Sequence, residues 1–331
     1  MADTTASEPR DVTTAAVEDI LTKVWPDEPV VVARLERLSA GASRLSWAVD
    51  VTVGGHTRPL VLQRERARGR GRSDVVKEAA LLRSAAAAGV PVPAVVTSDA
   101  GDDEIGGAYI VTARVDGETI PRRILRENRF AQARAGFARE CGEILGRIHT
   151  LPLDGLPDLE RPDPLAAVAE MLDGTGERRP GFEAALRWLK DHPPVRRPLA
   201  LVHGDFRNGN LIMGEQGIEA VLDWELAHIG NPLQDLGWLC ARPWRWGAPA
   251  PVGGVGQLDD LLTAYQPYGG AVAREELHWW LLFSSLNWGV MCLEQARVHL
   301  SGEHRSVELA VLGRISSEME YDVLRMVRDA G

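Results

Sequence analysis

The sequence predicts an α+β chain in two parts, a strand-rich first third and a mainly helical remainder. Three observations carry this reading. Between residues 30 and 64, three runs of strand length follow one another, the second and third joined by Gly54-Gly55, a pair suited to a tight hairpin turn. Beyond residue 120 apolar positions recur at helical spacing, as at Phe137, Cys141, Ile144, Leu145 and Ile148. Within the helical part, residues 201–239 read LVHGDFRNGNLIMGEQGIEAVLDWELAHIGNPLQDLGWL, where short apolar runs deliver Asp205, Asn210 and Asp223 to strand ends.

Taken in order, residues 1–10 are polar and poor in large apolar groups, which predicts disorder. Residues 12–24 suit a short helix before Trp25-Pro26, and residues 30–38 a first strand. A loop of small residues, SAGASR at 39–44, leads to strands over 45–53 and 59–64. Small side chains let backbone N–H groups approach phosphate oxygens, making Ser43 a candidate nucleotide contact. The loop has one glycine, so an ordinary hairpin turn fits equally well. Residues 64–72, RERARGRGR, form the most basic run, either a solvated loop or a phosphate-attracting lip. Ser73-Asp74 suits a helix N-terminus. That helix runs to about residue 88 with Glu78 in its first half, and GVPVP at 89–93 stops it. A strand over 109–113 and a polar connector over 114–118 mark a boundary near residue 115, dividing the chain into 1–115 and 116–331. Further helices are expected over 131–149, 163–172, 181–189, 258–265, 274–299 and 307–327. Trp244-Arg245-Trp246 and the Pro/Gly-rich loop after it could form one wall of a substrate pocket, with Asn287 as a further pocket group.

Composition narrows the function. Of 331 residues, 45% are apolar and 25% charged, ordinary for a soluble globular protein. A formal net charge of -10 argues against general nucleic-acid binding. Cys141, Cys240 and Cys292 are far apart and form no CxxC pair, which favours buried thiols over a disulfide framework or zinc site. No stretch reaches the roughly 18 apolar residues of a membrane span, and MADTTASEPR has no signal-peptide apolar region. The expectation is a cytoplasmic enzyme without a membrane partner.

A carboxylate, an amide and a second carboxylate brought to neighbouring strand ends suit phosphoryl transfer. Asp205 would accept a hydroxyl proton, while Asn210 and Asp223 would hold magnesium against ATP. The third strand should then offer a cation to the phosphates, and it reads Leu60-Val61-Leu62-Gln63-Arg64. Gln63 and Arg64 point to opposite faces of a strand, so only one can look toward a nucleotide. An arginine brings a fork of charged donors, whereas a glutamine brings no charge. If ATP lies beside the lobe boundary, the backbone near residues 112–115 meets the adenine, with Val111 and Arg114 as candidate contacts.

HGDFRNGN followed by VLDWE resembles the HGDxxxxN and DxE signature of the aminoglycoside phosphotransferase-like (APH/choline kinase-like) family, relatives of the protein kinases. The Glu78 helix, GVPVP, the helix end at 142–149 and IGNPLQDLGWL follow that family in the same order, from about residue 30 onward. DLGWLCARPWRWG is similar to a subset related to the kinase-like domain fused to some acyl-CoA dehydrogenases. The resemblance implies a protein-kinase-like bilobal fold, its N-lobe an antiparallel sheet plus helix and its C-lobe mainly helical. It implies Asp205 as the catalytic aspartate, Asn210 and Asp223 as magnesium ligands, and Glu78 as the partner of a third-strand cation. Asp235 resembles a buried structural aspartate and His203 a loop-bracing residue. Two departures stand out: Gln63 falls where lysine or arginine is usual, and Glu225 ends the DWE triplet, in a structural or magnesium-supporting role. The expected activity is small-molecule kinase chemistry with ATP and Mg2+, GTP remaining open. A hydroxyacyl acceptor fits the tryptophans and arginine at 244–246, and an aminoglycoside is the alternative acceptor. A nucleotide-binding pseudokinase acting by interaction is a third reading, supported by Gln63. The eleven residues between Asp223 and Asp235 leave no room for a long activation loop, which argues against a protein kinase.

Overall fold

A computed structural model describes residues 12–38, 44–65, 74–100 and 105–330. They form two compact units. The first holds the described residues up to Gly117 together with Asp154–Asp158 and Glu219–Glu225; the second holds Glu118–Leu153, Leu159–Ile218 and Leu226 onward. The predicted disorder of residues 1–10, the loop with Ser43 and the basic run from residue 66 lie outside the described residues.

The first unit begins with α1 (Thr14–Val24), where Thr13 accepts a hydrogen bond from the Ala16 N–H at 3.2 Å and caps the helix. Strands β1 (Val30–Arg37), β2 (Arg44–Val53), β3 (His56–Glu65), β4 (Val95–Asp99) and β5 (Tyr109–Ala113) build an antiparallel sheet in the order β1-β2-β3-β5-β4. β2 and β3 pair without interruption from Arg44 opposite Glu65 to Val53 opposite His56. Their turn places Gly54 at φ 56° and Gly55 at φ 86°, the two left-handed conformations of the hairpin turn whose twist matches the strands. Alternation then sorts the side chains. Leu45, Trp47, Val49, Leu60 and Leu62 face one side and share a buried apolar cluster with Ile20 and Leu21 of α1. Arg44, Ser46 and Gln63 take the opposite side by the same register. Helix α2 (Val75–Ala87) is capped by Asp74, which accepts from the Lys77 N–H, and it buries Glu78.

The second unit is mainly helical: α3 (Pro121–Arg126), α4 (Ala131–His149), α5 (Pro164–Thr175), α6 (Pro180–Asp191), α7 (Leu233–Cys240), α8 (Leu258–Gly269), α9 (Arg274–Leu300) and α10 (Val307–Ala330). Short strands β6 (Ala200–Val202) and β9 (His228–Gly230) pair antiparallel. β7 (Leu211–Met213) leads to the turn closed by Gly214 N–H to Gly217 C=O at 2.9 Å, after which β8 (Ile218–Val221) begins and, from Glu219, belongs to the first unit. Helix α4 occupies the span its apolar stripe predicts, and α9 matches the expected 274–299 to within one residue. Helix α7 escapes such a reading because Leu233 and every residue from Asp235 to Cys240 are buried. A helix with no wet face shows no polar–apolar period.

The three cysteines are free and buried, as their apolar contexts predict. Burial pushes the Cys240 and Cys292 thiols up to about 12, so neither is a thiolate at neutral pH. No helix among the described residues is long and apolar enough to cross a membrane.

Candidate active site

In the second unit, β6 ends at Val202 and the chain turns through His203-Gly204-Asp205. The turn is held by Asp235, which lies in the first turn of α7 and is fully buried. Its carboxylate accepts the His203 N–H at 2.8 Å and the Gly204 N–H at 2.9 Å. It also meets His149 Nε2 at 3.1 Å, and His149 Nδ1 lies 2.9 Å from the Tyr265 hydroxyl. Burial by itself would raise the Asp235 carboxyl, but the hydrogen bond and charge of His149, joined by His203, hold it below the ordinary aspartate value. Asp235 thus ties the first turn of α7 to two backbone N–H groups of the His203-Gly204-Asp205 turn. His203 adds one more, accepting the Asp205 N–H on Nδ1 at 3.2 Å.

Gly204 sits at φ 85°, and a Cβ there would fall 2.5 Å from the Leu226 carbonyl oxygen. Both the backbone conformation and the space exclude a side chain. Gly204→Ala is therefore expected to cost about 1–3 kcal/mol and to lower any activity that depends on Asp205. Equilibrium urea unfolding beside an activity assay checks this, and a variant as stable as the wild type would refute the close packing.

The Asp205 carboxylate is held on both oxygens. Oδ1 accepts from Trp238 Nε1 at 2.7 Å and Arg207 Nε at 2.9 Å; Oδ2 accepts from Asn210 Nδ2 at 2.6 Å. Three donors fix its orientation. Asn210 Nδ2 also reaches the Asp205 carbonyl at 3.1 Å. With its nitrogen engaged, the Asn210 amide has only Oδ1 to offer a cation.

Neither Arg207, inside the HGDFRNGN motif, nor Trp238 carries a local sequence sign of its contact with Asp205. The Arg207 guanidinium stacks over the Trp244 ring at 4.5 Å. Trp244 in turn lies 5.1 Å from Trp238 and 4.8 Å from Trp288, centroid to centroid. The predicted pocket set does not converge. Trp244 is buried in this tryptophan cluster beside Arg207. Arg245 turns back onto the Cys240 carbonyl with Nε at 3.1 Å and Nη2 at 2.7 Å. There it lines a separate cavity of about 320 Å³ with Arg242 and Asp322. Trp246 is 41% exposed, at φ 52°, on a second cavity with Arg126 and Arg134. A short helical turn over Arg242–Arg245 separates the three directions, so the segment does not form the single pocket wall expected of it. Asn287 is half-buried on α9.

In the first unit, Asp223 follows β8 exposed and at φ 66°, a left-handed conformation that aspartate tolerates better than most residues. Trp224 beside it is fully buried and donates to the Val221 carbonyl at 3.3 Å. Glu78 does not pair with a third-strand cation as the resemblance implied. Its partner is Arg44 on β2, with both side chains 7% exposed. Burial pushes the Glu78 carboxyl above its ordinary range, while the Arg44 charge and hydrogen bond and the Trp224 backbone N–H pull it back. Arg44 Nη2 also lies 3.9 Å from the Glu225 carboxylate.

The register settles which third-strand residue faces α2. Gln63 shares its face with Arg44, whereas Arg64 is buried on the α1 side. There Arg64 donates to the Ile105 carbonyl and places its guanidinium 5.5 Å from the Trp47 ring. Arg64 is therefore packed away from the face that carries Glu78. Val111 is packed in the sheet's apolar core, and Arg114 reaches Asp50 at 3.1 Å while its N–H bonds the Pro59 carbonyl. Ser43 lies outside the described residues.

The phosphotransferase enzyme family, as a sequence profile, matches residues 34–278. Mouse acyl-CoA dehydrogenase family member 10 is 28% identical over 180 residues, which is 50% of this chain and 16% of that protein. The chain thus spans about a sixth of that relative's length. A Ralstonia eutropha protein provisionally described as an aminoglycoside phosphotransferase superposes with a TM-score of 0.79 at 20% identity, covering 96% of this chain and 98% of that one. A thermostable variant of aminoglycoside phosphotransferase APH(4)-Ia, in ternary complex with ADP and hygromycin B, gives a TM-score of 0.63 at 20% identity, covering 94% and 98%. At these identities the two structures establish the shared fold, which is the kinase-like α+β architecture implied by the motifs.

Proposed function

Because the chain belongs to the phosphotransferase enzyme family, we propose that it moves the γ-phosphoryl group of ATP to a hydroxyl of a small molecule, with Asp205 against that hydroxyl. The observation that carries this is the Asp205 carboxylate, aimed by Trp238, Arg207 and Asn210 from a loop that Asp235 braces. That carboxylate is held in one orientation by three donors. Its main work is to orient the acceptor oxygen in line with phosphorus, and it takes the proton as the new O–P bond forms. The donor set suits magnesium, a hard cation that prefers oxygen ligands and retains water. Asn210 Oδ1 in the second unit offers one ligand of this kind, and the exposed Asp223 carboxylate in the first unit offers another. Bound there, magnesium supplies neutralisation of phosphate charge.

The acceptor is a hydroxyacyl compound in this reading. The Arg207 guanidinium beside Asp205 repels a polycation and attracts a carbonyl or carboxylate oxygen, while the half-buried Trp288, packed on buried Trp238 and Trp244, offers apolar contact to an acyl chain. The matched relatives are themselves named for acyl-CoA dehydrogenation. The test is ATP consumption by the purified protein with 4-hydroxyacyl compounds on one side and hygromycin B and kanamycin on the other. Turnover restricted to hydroxyacyl compounds is expected. Turnover restricted to the aminoglycosides would reverse the acceptor, and nucleotide binding with no turnover on either would favour a pseudokinase.

A further inference from the structure

We propose that Arg44, on β2, is the cation that meets the nucleotide phosphates, a charge that β3 does not supply. The inference rests on the phosphotransferase reading above and assigns one residue within it. A nucleoside triphosphate carries several negative charges, so the sheet face that receives it needs a cation held in place rather than one free in solvent. On β3 the residues of that face nearest Arg44 are Gln63, which is uncharged, and Glu65, an anion that accepts the Val75 N–H at 3.1 Å, while Arg64 is turned to the opposite side against Trp47 and Ile105. One strand over, Arg44 shares the face of Gln63.

Its surroundings set its position. Glu78 of α2 binds the guanidinium through Nη1, and the same carboxylate accepts the Trp224 backbone N–H. Glu225 stands 3.9 Å from Nη2. The guanidinium is therefore tethered to Asp223-Trp224-Glu225, the segment whose Asp223 is the candidate magnesium ligand. A cation beside that segment would meet the same phosphate oxygens as the metal, and arginine's planar fork matches those oxygens. A purely structural role is a poor account of the pair. Buried Arg–Glu pairs repay their desolvation badly, and apolar residues of similar volume commonly serve stability as well or better.

The test is calorimetric titration of the full chain with ADP and with a non-hydrolysable ATP analogue, each with magnesium. Arg44→Met/Glu78→Leu replaces the pair with apolar side chains, and Arg44→Gln removes the charge while keeping a donor for Glu78. Either variant that remains folded by thermal melt should bind nucleotide roughly 10- to 100-fold more weakly, the usual range for a hydrogen bond to a charged group. Adding Gln63→Lys to the double variant should recover most of that loss, because it returns a cation to the same face. A folded variant of either kind that binds within about threefold of the wild type overturns the assignment and leaves the phosphotransferase reading standing. A wild-type chain that binds no nucleotide overturns both.

Discussion

Asp205→Asn is expected to lower phosphoryl transfer by roughly a hundred- to ten-thousandfold while the melting temperature changes little. The substitution keeps the shape of the side chain and one oxygen for the Trp238 and Arg207 donors at 2.7 and 2.9 Å. It removes the charge and replaces Oδ2, which accepts from Asn210 at 2.6 Å. Asparagine cannot take the acceptor's proton and orients a hydroxyl less strongly than a carboxylate. Single-turnover product formation beside a thermal melt separates the chemical loss from a folding defect. Turnover within tenfold of the wild type would remove Asp205 from the reaction.

Asp235→Ala should be the most destabilising single change in the site region. The carboxylate is fully buried and serves the His203 N–H, the Gly204 N–H and His149 together. Truncation strands all three, and breaking a buried network of this kind costs about 3–5 kcal/mol. Urea unfolding measures it, and a loss below about 1 kcal/mol, the worth of one ordinary hydrogen bond, would contradict the bracing role. The pH dependence carries a second signature. The folded-state carboxyl lies below the ordinary value of 3.8, so the folded protein binds fewer protons there than the unfolded chain. Its contribution is fully present above that value and drains away as pH falls from 3.8 through the lower folded value. The Asp235→Ala variant should lack this share of the acid-limb loss.

Much of this arrangement is legible in the residues. Asp205 and Asn210 are five apart in HGDFRNGN, and the structure joins them by a hydrogen bond. The long helices α4 and α9 declare themselves through residue type and length. The misses share a cause: contacts between distant residues have no local signature. Trp238 is 33 positions from the carboxylate it donates to. Arg44 and Glu78 are 34 apart, and Arg44 follows a loop of small residues where nothing marks it as a buried cation. Trp244-Arg245-Trp246 looked like a single wall because adjacency in sequence suggests adjacency in space. A short helical turn sends the three side chains to different places.

The β2–β3 hairpin gives the Gly54-Gly55 turn a reach beyond its own residues. Its unbroken ladder runs from Val53 opposite His56 to Arg44 opposite Glu65, a ribbon of roughly 30 Å at the usual rise per residue. Along it every side chain's face is fixed by counting from the turn. One residue inserted beside Gly55 would move β3 by a single step and exchange its two faces. Arg64 would leave the apolar side to stand near Glu78, and Gln63 would enter the core against α1. The sign of the charge presented at one end of the sheet is thus set by the number of residues in a turn at the other.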